Sequence, residues 1–301
     1  MQATTDLETS FYGLPREQCD YASARAAIFG TPFEGAVSYG SGTSRGPSAV
    51  LEASQQVELF DHEAGWSPCE VGIATLEPET LDTPLASFEA VKATIDRILP
   101  GLLADGKFPV LIGGDHSVMP PVIPHYLGKY PELGVFQIDA HADLRDQYDD
   151  NPNSHACAIR RAHDHPIVHS VGVGIRNISA EEWDWYKDQT NITMVWGGSR
   201  MVSEGDWKSE VRAAIAKLPR HVYLTIDVDG LDPSIMPSTG TPEPGGLSWQ
   251  QTCFALQELF ATRTVVGMDV NELAPIETLH GPDFLVAKLI YKAIGYKFAK
   301  S

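Results

Sequence analysis

Cysteine is scarce in this chain: 4 in 301 residues, Cys19, Cys69, Cys157 and Cys253, with no Cys-x-x-Cys pair among them. That argues against a thiolate metal site or a disulfide scaffold and fits reduced thiols in a cytoplasmic protein. Positive charge is also short. Lysine and arginine number 22 against 40 aspartates and glutamates, giving a net charge of −18. A surface of that sign repels nucleic acid and anionic membranes and suits a small cationic ligand. No apolar run approaches the roughly 20 residues of a membrane span. Met1–Ser10 has no apolar stretch of the kind a secretory signal needs. There are no repeats, low-complexity tracts or obvious linkers. Residues 1–301 therefore read as one domain, a size at which α/β chains often remain undivided.

What is present is alternation. Short β-branched apolar runs are expected as strands at Ala26–Gly30, Phe108–Ile112, Gly134–Asp139, Ile167–Val173, Ile192–Trp196, Val222–Asp227 and Thr264–Val270, with another around Val71–Ile73. Between them, helices are expected over Pro47–Leu59, Pro84–Leu103, Met119–Lys129, Ala180–Lys187, Glu204–Leu218, Ser248–Phe260 and Pro282–Phe298. Strand runs such as Val222-Tyr-Leu-Thr-Ile226 are almost continuously apolar, as in parallel strands covered on both faces. Alternating strands and helices imply a mostly parallel α/β sheet. In open sheets of this kind, ligands bind beyond the carboxyl ends of the strands.

Polar clusters stand at just those ends. Leu111-Ile-Gly-Gly-Asp-His-Ser117, Gln137-Ile-Asp-Ala-His-Ala-Asp143, Thr225-Ile-Asp-Val-Asp-Gly-Leu-Asp-Pro233 and Gly267-Met-Asp-Val-Asn-Glu272 each follow an apolar run. In extended chain, residues two apart point the same way, so Asp139, His141 and Asp143 are expected to aim at one point, as are Asp227 and Asp229. His116 completes a set of four Asp and two His. Crowded carboxylates are costly unless cations neutralise them. Two divalent ions balance four negative charges, and Asp/His donors without thiolate favour Mn²⁺ over softer metals. Such ion pairs typically sit about 3.5–4 Å apart and acidify a water held between them. Any one of these aspartates, read alone, is a helix cap or turn residue, and Asp232 is expected to be one.

The order GGDHS, DAHAD, DVDxxDP resembles the ureohydrolase superfamily, which includes arginase, agmatinase, guanidinobutyrase and formimidoylglutamase. Residues Gly35–Pro47 are similar to that family's N-terminal glycine-rich loop, and Thr239–Gly246 to its loop after the second metal-binding strand. The resemblance spans nearly the whole chain. It implies a three-layer α/β/α fold around a mostly parallel sheet of about eight strands, two Mn²⁺ per subunit, a trimeric or hexameric homo-oligomer, and hydrolysis of a guanidinium to urea and an amine. His116, Asp139, Asp143 and Asp227 match the ligands of one ion; Asp139, His141, Asp227 and Asp229 match those of the other. His155 matches the active-site histidine and Glu272 the carboxylate that pairs with the guanidinium. With Asp143 they form the implied catalytic set.

These roles make chemical sense. Guanidinium is a poor electrophile and needs a strong, fixed nucleophile. Its planar N–H fork suits a carboxylate, and a histidine can protonate the leaving amine. Residues Leu144–Ser154 lead from the ligands to His155 and carry Asp146, Asp149 and Asp150 against Arg145. That acidic rim, with Asp146 as a substrate contact beside Glu272 and His155, suits a tail without a carboxylate. Agmatine, giving putrescine and urea, is therefore favoured, with aminopropylagmatine as a close variant. Guanidinobutyrate would need a basic partner such as Arg145 or Arg176, and arginine ranks lower. Two other readings are a metal-binding, non-catalytic relative and a single-zinc deacetylase, against which the full two-metal residue set argues. Arg160 and Arg161 are expected in ion pairs or a subunit contact.

Overall fold

A computed structural model describes residues 3–35, 37–166, 168–201 and 204–299. It contains an eight-stranded sheet in which every strand pairing is parallel. The strands are β1 (Ala26–Thr31), β2 (Ile73–Thr75), β3 (Phe108–Gly113), β4 (Leu133–Ile138), β5 (Val168–Ile175), β6 (Ile192–Trp196), β7 (His221–Asp227) and β8 (Thr264–Asn271), in the spatial order β2-β1-β3-β8-β7-β4-β5-β6. The expected strand at Ile167 begins at Val168, Ile167 itself lying outside the described residues.

Strand burial is nearly unbroken because helices cover both faces. Alternate strand residues supply two separate cores. Ala26, Ile28, Phe136 and Ile138 join one with Val50, Trp207, Leu256 and Ile290. Ala27, Phe29, Leu133 and Val135 join the other with Val91, Ile95, Ile123 and Tyr126. The result is the expected three-layer α/β/α arrangement, and the chain's apolar runs are the middle layer.

Helix ends follow local chemistry. The expected Pro84–Leu103 helix starts later, at Phe88, because Ser87 caps it, its side chain accepting from Ala90 N at 3.2 Å. Ser179 and Ser248 build capping boxes with Glu182 and Gln251. The expected Met119–Lys129 helix is instead a 3-10 turn at Pro120–Val122 and a short helix at Ile123–Leu127. Pro120, Pro121 and Pro124 remove the N–H groups that a longer helix needs.

Topology matters most for the site. The chain leaves β3, crosses to β4, and returns through β7 and β8 to fill the gap between them. The four strands that end in polar clusters are thus neighbours, β3-β8-β7-β4, at a switch point where ligands bind in open α/β sheets.

Candidate metal centre

Each cluster is delivered by the turn that follows its strand. Beyond β3, Gly114 lets the backbone pass Phe33, whose carbonyl oxygen a Cβ there would meet at 1.9 Å. His116 follows, fully buried, in a short 3-10 turn capped by Asp115. Beyond β7, Asp227 Oδ1 accepts from Asp229 N at 3.0 Å and opens another such turn. Gly230 in that turn packs against the end of β4, where a Cβ would come within 2.6 Å of Asp139 N. That close approach sets Asp229 beside Asp139, and its Oδ1 accepts from Ala140 N at 3.0 Å.

The convergence of Asp139, His141 and Asp143 has a different cause from the extended alternation expected of them. Strand β4 ends at Ile138. Asp139 Oδ1 accepts from His141 N at 2.6 Å, folding the chain back. Asp143 then adopts a left-handed backbone, φ +55°, and Glu272 does likewise at +68°. Non-glycine residues in that region store strain that the surrounding structure must hold, and such strain concentrates at functional sites.

The donor atoms form two groups that share one aspartate. His116, Asp139 and Asp227 make one; Asp139, His141 and Asp229 make the other; within each, the ligand atoms lie within 4.8 Å of one another. Asp143 Oδ2 joins the first at 3.0 Å from His116 Nδ1. Asp227 falls in the first group but not the second, where the resemblance also placed it.

The chemistry of this donor set can be tested against a pair of cations. His116 Nε2 lies 2.7 Å from Thr225 Oγ1, whose hydroxyl donates to Asp269 Oδ1 at 2.6 Å. The threonine proton is thereby committed, so Nε2 carries a hydrogen and Nδ1 is the nitrogen left to face the carboxylates. Nδ1 faces Asp143, Asp139 and Asp227 at 3.0, 3.3 and 3.5 Å and makes no directed hydrogen bond. Burial works against an imidazolium at His116, yet these three carboxylates hold it well above the usual imidazole range, so the position of Nδ1 calls for positive charge, whether a proton or a metal cation.

The acid–base shifts express the same demand. Burial and the charges of Asp143 and Asp229 push Asp139 up to about 7. Burial, with Asp229 and Asp139, pushes Asp227 well above the usual carboxylate range. Burial works against an imidazolium at His141, yet Asp229 at 2.9 Å lifts it to about 10. The residues fit two divalent cations, which answer that demand with +4 and with oxygen and nitrogen donors that hard metals accept.

An open cavity of about 210 Å³ reaches this centre, lined by His141, Asp143, Asp227 and Asp229 at one end and by Arg145, Tyr148 and Glu243 among others. His155 lines it too, in a 3-10 turn, with Nδ1 3.2 Å from Glu272 Oε1. Burial disfavours its imidazolium, but Glu272 outweighs that and raises His155 to about 9. The same Glu272 oxygen accepts from His116 N at 2.8 Å, tying this pair to the metal ligands.

Asp146, expected as a substrate contact, does not line the cavity. Its carboxylate is 61% exposed and turns to Arg161 at 2.8 Å and Arg160 at 3.5 Å, so the ion pairs expected of those arginines consume it. Arg176 is likewise no receptor for a carboxylate tail, since its guanidinium donates to the carbonyls of Gly174, Asp229, Gly230, Leu231 and Glu243. Asp232 is the expected turn residue, accepting from the backbone N–H groups of Ser234, Gly245 and Gly246. Thr225, Asp269 and Gln137 also serve the site, and the only sign of them in the sequence is that each is a polar residue inside an apolar strand. Register aligns them in one row, Gln137 beside Thr225 beside Asp269. Gln137 Nε2 donates to Asp139 Oδ2 at 2.9 Å.

An all-parallel α/β sheet carrying carboxylates and imidazoles for two cations at its C-terminal edge defines a class of metal-dependent enzyme. Comparison with known proteins narrows the class. The model of the arginase family matches residues 24–295. N(1)-aminopropylagmatine ureohydrolase of Synechocystis sp. is 40% identical over 281 residues, 92% of this chain and 90% of that protein. Agmatinase of Bacillus subtilis is 32% identical over 262 residues, 85% and 86% of the two chains. The crystal structure of agmatine ureohydrolase of Thermoplasma volcanium superposes with a TM-score of 0.79 at 26% identity, covering 92% of this chain and 91% of that one. The chain belongs to the arginase family and is a hydrolase of the ureohydrolase type, as the GGDHS, DAHAD and DVDGLDP resemblance implied.

Proposed function

We propose that this protein hydrolyses a guanidino compound with a polyamine tail, N(1)-aminopropylagmatine in preference to agmatine, releasing urea and the free amine. The observation that carries the hydrolytic reading is His116 Nδ1, held among three carboxylates of which two, Asp143 and Asp227, line an open cavity. Agmatine was the substrate expected from the sequence. The higher identity to the aminopropylagmatine enzyme, 40% against 32% for the agmatinase, supports the longer tail.

The residues that would hold two Mn²⁺ are His116, Asp139, Asp143 and Asp227 on one side and Asp139, His141 and Asp229 on the other. Bound divalent cations neutralise the carboxylates and acidify water at neutral pH. Glu272 is the carboxylate for the guanidinium fork and, in the arrangement described, the partner of His155. Hydrolysis breaks the bond between the guanidinium carbon and the tail nitrogen, and that nitrogen must gain a proton as it leaves. His155 lines the cavity and is held protonated at neutral pH by Glu272, so it is placed to supply that proton.

The test is urea release by Mn²⁺-loaded protein from aminopropylagmatine, agmatine, guanidinobutyrate and arginine. The highest kcat/KM is expected for aminopropylagmatine, with agmatine next. Urea from agmatine alone would correct the substrate and keep the chemistry. No urea from any of the four, with two metals bound per chain, would end the hydrolytic reading.

A further inference from the structure

We propose that Glu243 receives an ammonium group of the substrate's tail and so sets a preference for polyamine tails over tails ending in a carboxylate. The proposal rests on the ureohydrolase reading above and names the residue that reads the far end of its substrate.

Three acids are candidates near this end of the cavity, and their hydrogen bonds separate them. Asp146 is spent on Arg160 and Arg161 outside the cavity lining. Glu182 is 5% exposed, and both its oxygens are taken: Oε1 by Leu144 N and Oε2 by Ser179 N, each at 2.8 Å. It caps a helix and fastens the start of the 144–154 loop. Glu243 is only half-buried. Its Oε1 accepts from Asn177 Nδ2 at 2.7 Å, and its Oε2 has no hydrogen-bond partner among the described residues. Of the three, it alone both lines the cavity and keeps an oxygen for an incoming donor.

Glu243 is also held in fixed relation to the chemical end of the site. Arg176 Nη2 donates to Glu243 O at 2.7 Å and to Asp229 O at 2.6 Å, so one guanidinium joins the backbone of the tail receptor to that of a metal ligand. Asn177, which steadies the Glu243 side chain, forms a parallel bridge with His141. A receptor fixed before the substrate arrives avoids the cost of ordering it on binding. Arg145, which also lines the cavity, lies 5.0 Å from the centre of the Tyr148 ring and 4.0 Å from Glu182. Its charge is thus partly matched by a carboxylate, whereas that of Glu243 faces no lysine or arginine side chain at ion-pairing distance among the described residues. An ammonium tail pairs with Glu243 through a charge-assisted hydrogen bond, and a carboxylate tail meets repulsion there.

Glu243→Gln isolates the charge, because the amide keeps an acceptor for Asn177. On the Mn²⁺-loaded holoenzyme, the KM for aminopropylagmatine should rise about tenfold or more, the loss falling on KM rather than kcat. The KM for guanidinobutyrate should fall or hold. Calorimetric titration with spermidine, a polyamine without a guanidinium, should show a matching loss of affinity. Asn177→Ala keeps the charge but frees the side chain, and a rise of about threefold in KM is expected; it carries the test if the glutamine variant fails to fold. Unchanged KM for aminopropylagmatine together with unchanged spermidine affinity would overturn the proposal. If the wild-type protein releases no urea, the ureohydrolase reading falls, yet the titration still decides Glu243: weaker spermidine binding in the variant supports it, and equal binding removes it.

Discussion

Under the C-terminal helix Gly281–Phe298, Lys292 is 3% exposed and meets Asp61, equally buried, at 2.8 Å, with Glu63 on the same ammonium. At the C-terminal edge of the sheet, four buried aspartates meet two imidazoles, with no lysine or arginine side chain at ion-pairing distance among the described residues. Both are charge clusters withdrawn from water, and they behave oppositely. Burial alone would raise Asp61, but Lys292 holds its carboxyl below the usual range. At Asp227 burial and neighbouring carboxylates act together, and the group rises well above that range. The first cluster carries its own counter-charge and fastens the loop around residue 61 to the last helix. The second has only two imidazoles against four carboxylates, so it stays short of positive charge and is stable as a fully ionised set only when cations come from outside. Whether a buried charge cluster balances itself therefore separates a structural cluster from a binding site here.

Neutralising one member of each cluster should sharpen that contrast, with the largest effect at the metal centre. Asp227→Asn keeps an acceptor for Asp229 N and removes a carboxylate that faces His116. Urea release should fall by more than about a hundredfold, since even the outer partners of metal ligands are worth 10–100-fold. Manganese content by plasma spectrometry should fall with it. In chelator the variant should be at least as stable as the wild type, because a carboxylate with a raised pKa costs stability when ionised at neutral pH. A variant markedly less stable than wild type in chelator would mean that Asp227 is held by protein contacts rather than waiting for a cation. The opposite is expected of Lys292→Met. It strands Asp61, so stability should fall by about 3–5 kcal/mol in urea denaturation, with or without manganese. Asp61 has a lowered folded pKa, so its contribution is present above the ordinary carboxylate range and is lost as pH falls through the lowered value. The difference between wild type and variant should thus shrink in acid. A gap that persists there would assign the loss to packing.

The two clusters also differ in how far the sequence discloses them. The metal centre is legible because polar residues interrupt apolar runs at strand ends, and parallel α/β topology puts those ends together. Its fine geometry is not, since Asp143 is aimed by a left-handed backbone that no spacing rule reveals. Asp146 is misjudged for a related reason: charge in a loop does not say which partner claims it, and Arg161, which does at 2.8 Å, stands 15 residues further along the chain. Arg176 comes from a segment far from Glu243 and Asp229 in the chain, so the bonds by which its guanidinium joins their carbonyls exist only in the fold. Asp61 and Lys292 are 231 residues apart, and nothing in either neighbourhood marks the pair.

Thr225 lies between the two kinds of cluster, a residue inside the sheet that belongs to neither by charge. As a β-branched residue in the middle of β7 it reads as an ordinary strand former. Only the adjacency of β7 and β8, which aligns Thr225 with Asp269, gives its hydroxyl an acceptor and turns it into the group that fixes the His116 tautomer. Thr225→Val keeps the shape and removes the relay. The variant should fold, and its stability loss should be smaller than that of Lys292→Met, about 1–3 kcal/mol. Manganese affinity at the site containing His116 should drop about 10–100-fold, while the site containing His141 is less affected. Titration of urea release against free Mn²⁺ should then separate into a tight and a weakened phase. A single unchanged phase would show that the threonine only fills space, and that His116 is oriented by Asp139, Asp143 and Asp227 instead.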